Sequence, residues 1–271
     1  MKTKKHFLDE PKNSVTRERI FLSRLEFDVR IAASRVCCPL SWALADVDRE
    51  GFDITLDDQD CQRKLQVKTV SPHAPTQQWR VFKHFLRPTI EFCDHMAFEI
   101  SPEGVGLGGG VVLMRITDLD KGTVEYSYTD LFVIAAFASQ LVIREQGKKR
   151  RGPTVTPQSQ ASQLLKKLSR NQDPEHDNDA KYDHTRVTIP DGLFLHAKSP
   201  DHLLAFAMLH NRADNSYSWP ANFAKAYRRF HTDDQGKALP DIDKGILSLA
   251  RNGADCLIDL AHDRIRTFHQ N

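Results

Sequence analysis

No two cysteines in this chain are spaced as Cys-x-x-Cys. The five that occur, Cys37, Cys38, Cys61, Cys93 and Cys256, include one adjacent pair that bridges only with difficulty. This argues against both a zinc framework and a disulfide scaffold, so a reduced, cytoplasmic compartment is expected. Charge of one sign is also scarce: the formal net charge is +2, which excludes the molecule-wide basic field of many nucleic-acid binders and leaves only local patches. The longest apolar run, "LFVIAAFASQLVI" at 131–143, is too short to span a bilayer, and the lysines near the start are not followed by an apolar stretch of signal-peptide type. No membrane partner is expected. No internal repeat is visible.

What is present is an ordinary apolar content, 40% of 271 residues, enough to bury a real core in one large domain or two small ones. Local basic patches lie at Lys2, Lys4 and Lys5, at Lys148, Lys149, Arg150 and Arg151, and at Lys166, Lys167 and Arg170.

The apolar spacing predicts a helix over 14–37, with Ser14 as its cap, Phe21, Leu25, Val29, Ala32 and Val36 on its inner stripe, and Pro39 beyond its end. Strands are predicted near 42–45, 52–57 and 63–70. After "SPHAP" a helix is predicted from about 76 to 86, closed by Pro88, then strands at 95–100, 111–116 and 123–128 and an apolar helix at 130–144. Helices alternating with strands imply an α/β or α+β class with a mixed sheet flanked by helices. Residues 145–185 read as a flexible charged linker, within which Leu164, Leu165 and Leu168 suit one short helix. A mostly helical domain is expected over 186–271, as a surface for a protein partner or DNA. The chain would thus divide into 1–144, 145–185 and 186–271.

The chemistry concentrates in "GFDITLDDQDCQRKLQVKT" at 51–69. Phe52, Ile54 and Leu56 alternate with Asp53 before the turn, and Leu65 and Val67 alternate with Gln66 and Lys68 after it. Gln66 and Lys68 stand two apart and share a strand face, and hairpin pairing brings Asp53 beside them. A carboxylate and an amide oxygen, with the carbonyl of Val67, are hard donors suited to Mg²⁺ or Mn²⁺. A lysine next to such an ion would orient a water and offset charge on a phosphate. The bland alternative is a solvated hairpin face carrying an acid and a lysine.

In order and spacing, "GFD" and "QVK", preceded by one predicted helix and followed by another, resemble the PD-(D/E)XK nuclease superfamily, in its Mrr-like branch with Gln for the second acid. The resemblance covers the first 100 to 140 residues. It implies a restriction-endonuclease-like fold and metal-dependent hydrolysis of DNA phosphodiesters, in restriction or defence, with Asp53, Gln66 and Lys68 as catalytic residues. It also implies a further acid from the first helix. Glu26, at the edge of the inner stripe, is the candidate, with Glu18 and Asp28 as weaker ones. The metal would then be held by Asp53, Gln66, Val67 and Glu26. No proline precedes Asp53, and Gln66 removes one negative charge, so a non-catalytic nucleic-acid-binding or scaffolding protein of the same fold is the alternative. Double-strand cleavage by one site per chain would favour a homodimer.

Around this core, His73, Lys83, His84 and Arg87 are placed to contact phosphates, and the Lys148–Arg151 run to follow a phosphate backbone; polar helix faces and solubilising charge are the plain alternatives. "GVGLGGG" at 104–110 leads into a strand and lacks a following Lys-Ser/Thr, so it is read as a connection and not as a phosphate loop. "CDH" at 93–95 has no partner at metal-ligand spacing. "KAYRRF" at 225–230 suits a helix that faces DNA through Lys225, Arg228 and Arg229, with an ordinary amphipathic helix as the plain alternative.

Overall fold

The computed structural model describes residues 7–35, 39–45, 51–57, 62–72, 74–87, 89, 106–138, 156–169 and 185–208. Helix α1 spans Ser14–Arg35 and turns Phe21, Leu25, Val29 and Ala32 inward, the stripe expected from spacings of three and four. Strands β1 (Ser41–Leu44), β2 (Ile54–Asp57) and β3 (Gln62–Val70) form an antiparallel meander. Strand β5 (Gly110–Asp118) lies parallel to β3, and β6 (Thr123–Asp130) returns antiparallel to it. Strand β8 (Leu195–Ala197) completes a mixed six-stranded sheet in the order β1-β2-β3-β5-β6-β8. The chain is therefore α/β, a mixed sheet flanked by helices.

Two helices cover one face of this sheet. Tyr126 on β6 donates its hydroxyl to Asp28 of α1 at 2.6 Å, and Tyr128 stacks on Phe206 of α5 (Pro200–Met208). Register carries that face across the sheet: Tyr126 pairs with Met114, and Met114 with Thr69. Because side chains alternate along a strand, Gln66 and Lys68 point to the opposite face. On that face Arg115 reaches Asp191 at 2.9 Å, just beyond strand β7 (Arg186–Pro190). Strand β7 pairs with strand β4 (Gln78–Phe82), which runs into the single turn α2 (Lys83–Leu86), and packs on helix α4 (Pro157–Ser169), itself packed on helix α3 (Leu131–Ala138).

Three sequence expectations are corrected here. Of the helix predicted over 76–86, only Lys83–Leu86 is helical; Gln78–Phe82 is a strand, with Trp79 and Val81 buried and Gln78 and Arg80 exposed. Its partner is β7, in register from Gln78 with Pro190 to Phe82 with Arg186. The short helix allowed for around Leu164, Leu165 and Leu168 does form, as α4, but it is no part of a flexible linker: its Ala161, Leu164, Leu165 and Leu168 are buried in the core. Residues 186–208 do not open a separate helical domain; they supply β7, β8 and α5 to the body built by the first half. The expected strand at 95–100 and the helices predicted within 209–271 lie outside the described residues.

A buried ionic cluster ties these layers together. Arg63 on β3 reaches Asp130 at 2.6 Å and the Tyr128 hydroxyl at 2.6 Å, and donates to the Gly108 carbonyl. Asp130 also accepts the Val133 N–H and so caps the start of α3. Every member is satisfied, the condition under which a buried pair is tolerated.

Candidate functional site

Where β2 begins, its pairing with β3 becomes irregular. The Asp53 N–H donates to the Leu65 carbonyl at 2.9 Å, one residue out of step with the Ile54–Leu65 pair. Beyond that point the Asp53 side chain takes over: its Oδ2 accepts the Val67 N–H at 2.5 Å. The carboxylate thus stands where a ladder carbonyl would be. In a strand the N–H and C=O of one residue open to the same edge, so the Val67 carbonyl faces the same side as Asp53.

Gln66 follows on the face opposite α1. It is 6% exposed, and its Oε1 has no hydrogen-bond partner among the described residues. A buried amide oxygen left this way costs about 1–3 kcal/mol, and few such groups occur in a native interior without a reason. Lys68 stands one alternation further on the same face and is half-buried. The local sequence explains this face: Leu65 and Val67 are drawn into the core shared with α1, which leaves Gln66 and Lys68 for the other side.

The approach to Asp53 is shaped by β4. Gly51 has φ +78°, and a methyl group there would come within 2.5 Å of the Phe82 ring, so only glycine allows this turn and this contact together. The guanidinium of Arg186 lies 4.1 Å from the Phe82 ring centroid, and the Lys64 amine 5.0 Å from that of Phe52.

Glu26 does not join this group. Its helix lies on the other face of the sheet, and its carboxylate is held by Arg30 at 2.9 Å. Asp28, the weaker alternative, is spent on Arg24 at 2.8 Å and on the Tyr126 hydroxyl. Among the described residues no group of three or more His, Cys, Asp or Glu side chains converges to hold a metal. A divalent ion at Asp53 would instead be held by one carboxylate, the Gln66 amide oxygen and the Val67 carbonyl, with water completing the shell. That donor set suits magnesium, which keeps several waters and needs few carboxylates, and the unpartnered Gln66 oxygen is the feature that fits an ion.

Lys83 and Arg87, expected at phosphates, are brought to the same side of the sheet on and just after α2. Burial, and then the like charges of Arg87 and Lys167, hold the Lys83 amine below the usual lysine value. Burial likewise lowers Arg87, whose Nε donates to the Leu168 carbonyl at the end of α4 at 2.9 Å. His73 and the Lys148, Lys149, Arg150 and Arg151 run lie outside the described residues. Sequence reading missed Lys167 and Arg186 as neighbours of this site; the basic character of Lys166 and Lys167 was visible, but not the helix that carries them here.

The glycine-rich connection is explained without a ligand. The N–H groups of Leu107, Gly108 and Gly109 donate to the carbonyls of His84, Arg87 and Phe85 at 2.9, 2.7 and 2.7 Å. A side chain at Gly106 or Gly109 would collide with the His84 carbonyl or the Phe85 ring. Among the described residues no helix is long and apolar enough to cross a membrane. Comparison with family models, with curated proteins and with solved structures finds no match to this chain.

Proposed function

We propose that this chain is a metal-dependent deoxyribonuclease of restriction-endonuclease-like fold, acting in the cytoplasm in restriction or defence. The observation that carries the reading is the buried Oε1 of Gln66, without a hydrogen-bond partner among the described residues, on the residue next to Val67, whose N–H donates to the Asp53 carboxylate. The element order also supports it: a helix, a hairpin bearing Asp53 and Gln66-Val67-Lys68, and a later strand parallel to the second arm. Asp53, Gln66 and the Val67 carbonyl would hold Mg²⁺ or Mn²⁺, which supplies Lewis-acid stabilisation to the scissile phosphate. Lys68 would orient the attacking water and offset developing negative charge.

The test is incubation of the full chain with plasmid DNA and Mg²⁺ or Mn²⁺, beside Asp53→Ala and Lys68→Ala. Metal-dependent cutting that drops about 10²-fold or more in both variants supports the enzyme. Cutting that survives in both sinks it. One observation favours a second reading, a nucleic-acid-binding or scaffolding protein without catalysis: Glu26 is engaged by Arg30, leaving Asp53 as the single acid proposed for the ion. Salt-sensitive DNA binding with no cutting under either metal would select that reading.

A further inference from the structure

Three cations, Lys83, Arg87 and Lys167, gather where α2 meets the end of α4, and a fourth, Arg186, lies over the neighbouring Phe82 ring. Lys83 and Arg87 stand four apart around α2, and the Arg87 N–H donates to the Lys83 carbonyl at 3.0 Å. Arg186 is the register partner of Phe82, the residue before Lys83. Lys167 arrives on α4, whose last turn is tied to Arg87 through the Leu168 carbonyl. Among the described residues, the like charges of Arg87 and Lys167 act on Lys83. Part of this is accounted for by the fold, because cations at the end of α4 suit its negative pole. Lys83 is not at that pole, and its amine lies near two further cations.

Phe82 fixes where the cluster sits. Its ring fills the space against Gly51, two residues before Asp53, so the basic group begins beside the proposed metal position and extends away from it toward α4.

We infer that Lys83, Arg87, Lys167 and Arg186 form a track for successive phosphates of a DNA backbone leading away from Asp53. This rests on the proposed nucleic-acid substrate, and deepens it by naming where the strand runs. The contacts are to phosphate, so they position the duplex without reading its bases.

The experiment uses the full chain with EDTA and a fluorescent DNA duplex of about 20 base pairs, a length that covers one protein footprint, and follows anisotropy over a salt series. Each of Lys83→Gln and Lys167→Gln is expected to weaken binding and to reduce the steepness of log K against log salt by about 0.9, with both reductions seen in the double variant. Lys167 is exposed, so Lys167→Gln leaves the fold intact and decides the matter even if the Lys83 variant folds poorly. Unchanged slopes, no salt-sensitive DNA binding by the intact chain, or a dependence seen with duplex RNA but not DNA would each overturn the track. Cutting assays separate the two ideas: cleavage with unaltered slopes keeps the enzyme and discards the track, whereas reduced slopes in a protein that never cuts do the reverse.

Discussion

Asp53 accepts the backbone N–H of Val67 through Oδ2 at 2.5 Å, so one carboxylate both ends the β2–β3 ladder and stands at the proposed metal position. These two roles separate by substitution. Asn at 53 keeps an oxygen for the Val67 N–H and removes the charge. Asp53→Asn is expected to unfold in urea within about 1 kcal/mol of the parent while losing the metal-dependent activity, and Asp53→Ala to lose both the activity and about 1–3 kcal/mol. A carboxamide variant that cuts DNA normally would remove Asp53 from the ion.

Gln66 offers the opposite trade. Leucine has similar volume and no polar atom to strand. Gln66→Leu is expected to raise stability without metal by about 1 kcal/mol and to abolish cutting, whereas Gln66→Glu is expected to tighten Mg²⁺ binding through the added charge. Isothermal titration with Mg²⁺ and urea melts of both variants check this; a Leu variant that is both less stable and fully active would show that the amide oxygen serves neither purpose.

Gly51→Ala is expected to cost about 1–3 kcal/mol, since the alanine would carry a positive φ and its methyl would press on the Phe82 ring. Activity should fall with it, because the same contact sets β4 against the start of β2. Trimming the ring in Gly51→Ala/Phe82→Leu relieves the clash but not the backbone strain, so thermal melting should show partial recovery only.

The Arg63–Asp130 pair is nearly inaccessible, at 2% and 1% exposure, while the Arg35–Asp201 pair is exposed on its arginine side at 62%. Asp130→Ala is therefore expected to cost about 3–5 kcal/mol by leaving Arg63 charged and unpaired. Asp201→Ala should cost less than about 1 kcal/mol. Chemical denaturation of the two variants would show no such contrast if burial did not control the cost.

Alkaline pH should weaken the fold. Tyr126 is pushed above the usual phenol value by burial first and then by its hydrogen bond to Asp28, and Tyr128 by burial first. A phenol with a raised folded pKa keeps its proton after the unfolded chain has released it, so its contribution is complete below the unfolded value of about 10 and is lost as pH rises above that. The slope is about 1.4 kcal/mol per pH unit for each tyrosine. In urea melts between pH 9 and 11, on the order of the phenol range, Tyr126→Phe should show a shallower decline than the parent; an equal decline would mean that Tyr126 does not titrate differently in the two states.

Much of the site was legible because it depends on local period. The alternation through Phe52–Leu56 and Leu65–Val70 already specified two paired strands, and it put Gln66 and Lys68 on one face whatever the partners were. Glu26 failed for a reason the period cannot reveal. A helix stripe has an edge, but the sequence does not say which face of the sheet the helix covers, and the Tyr126–Asp28 contact decides that from almost a hundred residues away.

By itself the sequence determined α1, the hairpin and the apolar character of α3, since each follows from how residues a few positions apart share a face or a strand edge. Only the tertiary structure decided that 78–82 is a strand, because its hydrogen-bonding partner lies beyond residue 185. The same holds for Lys167, which entered the basic cluster when Leu164, Leu165 and Leu168 were buried and the end of α4 was tied to Arg87 through the Leu168 carbonyl. Short-range pattern records which side of an element is apolar; what that side meets is set by the free energy of the whole packed chain.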